Sequence, residues 1–221
     1  RKISTPHLDA WAEAGTRYAN ADASIPLTLP SHLALFSSTG PWENGIDENA
    51  QVVPKGTTTL AGVLAANGYR TGAFIGSVFL EKELGLDPGF QVYDSPFRFT
   101  AFSRLTGSMF AGDRDRNPYS IRESRPAALV VRAAERWIAA NRDVPFFAFL
   151  HLFDMHKPYR LPAGFARPAG VSDYDAQLLY VDQVLGRFRE TLLRAGVWRK
   201  SLVVLLSDHG EGLGEHGESA H

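Results

Sequence analysis

Two short apolar runs constrain this chain more than any other feature in it: Pro145-Phe146-Phe147-Ala148-Phe149-Leu150 and Leu202-Val203-Val204-Leu205-Leu206-Ser207. Runs of this length without polar alternation predict strands buried on both faces, as in a parallel sheet covered by helices. Segments with helical spacing alternate with them. Thr5-Pro6 opens a helix over His7 to Ala14, with proline in its first turn and Gly15 at its end. Ser31 to Phe36 suits a second helix, capped by Ser31. Thr58 to Ala66 puts Leu60, Val63 and Leu64 on one stripe before Asn67-Gly68 returns the chain to a strand over Tyr69 to Ile75. Pro126 to Ala140 and Asp173 to Ala195 supply two further helices. The order predicts an α/β fold, a mainly parallel sheet with helices on both faces. From Asp87 to Glu123 the pattern weakens into an irregular excursion over the sheet, and Phe97 to Arg122 is expected to shape the pocket.

Composition removes several function classes. A chain of 221 residues, 44% hydrophobic, can bury a real core as one domain or most of a larger one. Its net charge of −1 and dispersed basic residues give no electrostatic footing for nucleic acid or a polybasic membrane contact. The absence of cysteine excludes disulfides and thiolate chemistry but leaves the compartment open. No apolar stretch is long enough to cross a bilayer and no signal-peptide pattern stands at Arg1. The chain opens mid-stream and stops on His221, so flanking pieces are expected.

Three segments can carry chemistry, each at a strand end or a helix start. In Ile25-Pro26-Leu27-Thr28-Leu29-Pro30-Ser31-His32, a hydroxyl beside a helix amino terminus meets unpaired N–H groups and a dipole that favours an anion. Threonine is a weak nucleophile and needs a base or metal, so a plain helix cap is the rival reading. The second segment, His151-Leu152-Phe153-Asp154-Met155-His156-Lys157-Pro158-Tyr159-Arg160, can ligate a cation, bind an oxyanion or protonate a leaving oxygen. Strand alternation turns His151 into the core as a buried, satisfied side chain, so His156 ranks above it. The third runs from Asp208 to His221 and holds three imidazoles and four carboxylates, with Gly210, Gly212 and Gly214 permitting a bend that turns Asp208 and His209 to one side. It is the strongest candidate for a divalent cation, against a solvated acidic loop.

Together these segments resemble the sulfatase family of the alkaline-phosphatase superfamily, over nearly the whole chain. Thr5-Pro6-His7-Leu8-Asp9 is similar to the family's early helix, Leu29-Pro30-Ser31-His32 with Phe36 to its nucleophile segment, and Tyr180-Val181-Asp182 with Leu185-Gly186 to its long helix. Ser207-Asp208-His209-Gly210-Glu211 with Leu213-Gly214-Glu215-His216-Gly217 carries its most specific motif. The resemblance implies an alkaline-phosphatase-like α/β fold in which residues 1–221 form a partial catalytic domain, without its first strand, the Asp-rich metal segment on that strand, and its C-terminal part. It implies Thr28 as a metal-bound nucleophile, Asp208 and His209 as metal ligands, and His156 with Lys157 on the transferred group. The cation expected is Zn or Mn, with Ca as an alternative. The substrate implied is a small-molecule, lipid or glycan ester, and the location extracytoplasmic.

Two departures from the pattern matter. Sulfatases carry Cys or Ser, converted to formylglycine, ahead of Pro-Ser-Arg; here Thr28 precedes Pro30-Ser31-His32, and threonine cannot be so converted. His221 stands where typical sulfatases have a sulfate-binding lysine, and a comparable histidine is a metal ligand in alkaline phosphatases. Both point toward phosphorus chemistry. The leading expectation is therefore a metal-dependent hydrolase or transferase of phosphate or sulfate esters with Thr28 as nucleophile and His221 as a further metal ligand. The alternatives are a formylglycine-independent sulfatase and, in another class, a metal-free pseudoenzyme or binding domain.

Overall fold

A computed structural model describes residues 3–97, 124–214 and 217. At its centre lies a three-stranded sheet of β1 (Arg70–Phe74), β2 (Val92–Asp94) and β3 (Phe146–Leu150), in the order β2-β1-β3 and parallel throughout. Phe74 pairs with Asp94 on one side and Leu150 on the other, so the three strands end level. Parallel strands need crossover connections; the one from β2 to β3 carries a helix, and helices before β1 and after β3 complete the cover of both faces.

Alternation along the strands sorts the two cores. On one face Ala73, Ile75, Phe147 and Phe149 meet Leu29, Leu33 and Phe36 of α2 (Thr28–Ser37), three residues at i, i+4 and i+7. The opposite face presents Phe74, Phe146, Ala148 and Leu150. They meet two helices that follow α3 (Pro41–Asn44) and α4 (Leu60–Ala66): α5 (Ala127–Asn141), through Val130, Ala134 and Ile138, and α6 (Asp173–Arg194), through Val181, Leu185 and Phe188. Gly72 admits the Trp137 ring so closely that a Cβ there would sit 2.9 Å from it. The first helix, α1 (Pro6–Ala14), lies along α6. Gly186 makes that approach possible, since a Cβ at this position would fall 2.4 Å from the His7 ring.

The helices and the strands around residues 70 and 146 form where periodicity places them, with three differences. Helix α2 begins at Thr28 rather than Ser31, with Leu27 as its N-cap. Pro30 does not delay it, because a proline in the first turn removes an N–H that has no intrahelical partner anyway. Thr5 does not cap α1 through its side chain. That role falls to Asp182 of α6, whose carboxylate accepts from the backbone N–H of Leu8 at 2.8 Å and of His7 at 3.4 Å.

The third difference overturns an expectation. Leu202 to Ser207 forms no strand and joins no ladder among the described residues. Leu202 is 90% exposed and Val204 69%. The run has the composition of a buried strand, but its backbone bonds to no other segment among the described residues. β2 also emerges from the stretch expected to be an irregular excursion, and of the part expected to shape the pocket, Phe97 to Arg122, residues 98–122 lie outside the described residues. No helix among the described residues is long and apolar enough to cross a membrane.

Candidate active site

Thr28 is the first residue of α2 and is buried. The amino terminus it opens is less free than its position implies. Asn49 Oδ1 accepts from the Leu29 N–H at 2.8 Å, Ser31 N–H bonds to the Leu27 carbonyl, and Pro30 has no N–H. The anion-binding capacity expected of this helix end is therefore partly consumed by the protein itself.

One turn on, Ser31 and His32 fasten the helix to the Asp208 loop. Ser31 Oγ donates to the Asp208 carbonyl at 2.6 Å. His32 Nδ1 lies 2.7 Å from the Thr28 carbonyl and 3.6 Å from Asp208 Oδ2. A carbonyl only accepts, so Nδ1 carries the proton and Nε2 is left bare in the neutral ring. Burial lowers the His32 pKa; Asp208 and the Thr28 carbonyl act against that shift, and His209 adds to it. Thr28, Asp208 and His209 are thus brought to one end of the sheet through a residue singled out before only as a departure from Pro-Ser-Arg.

Asp208 and His209 turn toward each other as the glycine-rich bend permits. His209 Nδ1 bonds to the Gly210 carbonyl at 2.7 Å, which directs Nε2 toward Asp208 Oδ2, 3.4 Å away. An imidazole nitrogen and a carboxylate oxygen facing each other at that separation can be directed at one cation. A backbone carbonyl that selects the tautomer is the usual arrangement behind a metal-binding imidazole. The donor chemistry of this pair fits a divalent ion, yet two ligands are not a closed site. No set of three or more His, Asp, Glu or Cys groups converges among the described residues, and His221 lies outside them.

His151 departs from its expected place in the ranking. Alternation does turn it inward, and it is buried, but Nδ1 has no hydrogen-bond partner among the described residues. Its ring stands edge-on to His32 with centroids 4.9 Å apart and stacks over Phe149. Burial holds its pKa well below the ordinary imidazole range, with His32 and His209 adding to the shift. A buried, neutral, incompletely bonded imidazole beside His32 is a stronger candidate for the chemistry than a satisfied core histidine. The signal was present in the adjacency of His151 to a strand end, but alternation gives a side chain's direction and not its partners.

His156 is braced differently. Nδ1 contacts the Lys157 carbonyl at 2.6 Å and the ring stacks on Phe153 at 4.4 Å. The loop that carries it, after a cis Lys157-Pro158 bond, is joined to the Asp208 loop by Tyr159, whose hydroxyl donates to Glu211 Oε1 at 2.9 Å. Burial raises the Tyr159 pKa, and Glu211 raises it further, so the phenol stays a donor. Lys157 follows His156 in the same loop and is half-buried.

A family model described as Sulfatase matches residues 1–221. An N-acetylgalactosamine-6-O-sulfatase of Bacteroides thetaiotaomicron is 20% identical, over 95% of this chain and 54% of its own length. Arylsulfatase A of Homo sapiens is 24% identical, over 94% of this chain and 47% of its own. The chain thus spans about half the length of these curated relatives. The phosphonate monoester hydrolase of Agrobacterium radiobacter, at 18% identity, superposes with a TM-score of 0.71 over 97% of this chain and 59% of its own. A Vibrio parahaemolyticus protein described as in the alkaline phosphatase superfamily, also at 18% identity, superposes with a TM-score of 0.65 over 87% of this chain and 45% of its own, so the fold is alkaline-phosphatase-like.

Proposed function

This chain belongs to the sulfatase family, and on that premise we propose that it is the nucleophile-bearing part of a metal-dependent hydrolase or transferase of phosphate or sulfate esters. The observation that supports this most is the fastening of the Thr28 helix to the Asp208 loop by Ser31 and His32. It keeps a hydroxyl and a pair of metal-type donors at one sheet end.

In this reading Thr28 Oγ1 attacks the phosphorus or sulfur in line, the bond to the leaving oxygen breaks, and the phosphoryl or sulfuryl group passes to Thr28 as a covalent ester. Water or an acceptor hydroxyl then displaces it. Asp208 Oδ2 and His209 Nε2, with His221, would hold a divalent cation, Zn or Mn in preference to Ca. When bound, that ion lowers the pKa of the Thr28 hydroxyl and neutralises charge on the transferred oxygens. His156 and Lys157 orient those oxygens. His32 holds the Thr28 backbone through Nδ1 and, as a buried neutral ring with His151, adds no fixed charge around the nucleophile.

The substrate class that accompanies this reading is a glycan, lipid or small-molecule ester, and the location extracytoplasmic. The second reading, a sulfate-specific enzyme that works without formylglycine, draws its support from the two curated relatives, both named sulfatases. Thr28→Ala in the full-length protein is expected to lower turnover by at least about a thousandfold without changing the melting temperature, while Thr28→Ser keeps measurable activity. Assaying aryl phosphate, phosphodiester and aryl sulfate side by side separates the two readings. Chelation should abolish turnover, and Zn or Mn should restore it. Retained turnover in Thr28→Ala would sink the mechanism, and a full-length protein that binds no divalent metal would leave the pseudoenzyme.

A further inference from the structure

Between the start of α5, the loop after β3 and the second turn of α6 lies a cavity of about 70 Å³, lined by Arg125, Asp154, His156, Lys157, Arg160 and Gln177. Only His156 and Lys157 are used in the ester chemistry above.

The charges in this cavity are arranged for an anion. Arg125 is held through one nitrogen, Nη2, which donates to Asp94 Oδ2 at 3.2 Å and to the Leu129 carbonyl at 3.1 Å. Its other terminal nitrogen, Nη1, is buried with no hydrogen-bond partner among the described residues. Lys157 and Arg160 form no ion pair among those residues. Among the described lining residues the one carboxylate, Asp154, turns both oxygens to the Ala127 N–H, at 3.1 and 3.0 Å, and forms no ion pair with the cations. Across the cavity Gln177 is 2% exposed, and its Oε1 has no partner either.

A buried guanidinium N–H and a buried amide oxygen left unbonded are each costly, and native proteins seldom keep two beside one cavity without something that satisfies both. The missing group must offer an anionic oxygen to the guanidinium and a donor to the amide. An anionic sugar, with hydroxyls adjacent to its charged group, offers both. A carboxylate or sulfate with an accompanying water fits the volume.

We propose that this cavity is a subsite for a second anionic group, a carboxylate or sulfate on the non-reacting part of the substrate, bound by Arg125 Nη1 and Arg160 while Gln177 Oε1 accepts from a neighbouring hydroxyl. The proposal rests on the ester-hydrolase reading for its substrate class, but the binding it asserts can be measured without turnover.

Calorimetry on the full-length protein compares three probes: a disaccharide with a uronate carboxylate and no ester, its counterpart with one sulfate in place of the carboxylate, and the neutral disaccharide. Binding of either anionic probe, weakened at least about tenfold by Arg125→Gln and by the exposed Arg160→Gln, is expected, with no binding of the neutral probe. The anionic probe bound more tightly identifies the source of the charge. In kinetics, the same variants should raise KM for an ester that carries a second anion about tenfold. They should leave kcat, and kcat/KM on a simple aryl ester, within about twofold. Should Arg125→Gln fail to fold, Arg160→Gln carries the comparison alone. No binding of either anionic probe to the wild type, or equal loss on all probes, overturns the subsite whether or not the protein hydrolyses esters.

Discussion

At Asp154 burial pushes a carboxyl up to about 6, with the Ala127 N–H acting in the opposite direction. Its folded pKa therefore exceeds the ordinary unfolded value near 4, so the folded state holds a proton more tightly there. The stability this provides is present below about pH 4 and is lost as the pH rises toward about 6. Asp154→Asn keeps an oxygen to accept from Ala127 and removes the charge. It should gain on the wild type between pH 4.5 and 7.5, by on the order of 1–3 kcal/mol in urea denaturation; a constant difference across that range would show that Asp154 ionises as in water. Ser31 belongs to the same scale, because its one hydroxyl secures the main chain of Asp208. Ser31→Ala is expected to cost about 1 kcal/mol of stability but about tenfold in metal affinity, since freeing the Asp208 main chain acts on the ligand more than on the fold. Titration with Zn beside a thermal melt separates the two effects.

Among the elements, α1 depends on α6 for its start. Asp182 is 2% exposed and caps two N–H groups of a helix whose own Thr5 does not. Asp182→Ala should cost about 2 kcal/mol, read as a lower urea midpoint, because it strands those donors in a buried contact. A cap supplied from another helix leaves no local signature, which is why Thr5-Pro6 looked self-sufficient. Most elements were legible: Asn67-Gly68 and the apolar stripe of α4, the periodicity of α5 and α6, and the run at Phe146 all report local preference. Misreadings arose where a tertiary partner decides. The composition of Leu202 to Leu206 is that of a strand, but ladder membership requires a neighbour alongside. His151 was read correctly in direction, and only packing against His32 reveals its unbonded Nδ1. Thr28, Asp208 and His209 were legible as a group, whereas the linkage that makes them one, through Ser31 and His32, was not.

Across the whole molecule, both faces of the sheet are covered, and its level strand ends leave one edge on which the loops after β1 and β3 and the Asp208 loop meet. The apolar run Leu202 to Leu206 lies outside that cover, with every member at least 38% exposed. A contiguous patch of this kind favours self-association. Residues 1–221 expressed alone should sediment as a mixture of oligomers, and Val204→Lys should shift the mixture toward monomer; an unchanged distribution would mean the patch is inert. The clamp between α1 and α6 has a consequence in time. Leu8 and Asp182 are 174 positions apart, so α1 leaves the ribosome long before its cap and its packing surface exist. Until then Leu8 and Trp11 have nothing to cover them, and closing so long a loop is slow. The α1 segment is therefore a natural client of a chaperone during synthesis, and its docking has to follow that of α6.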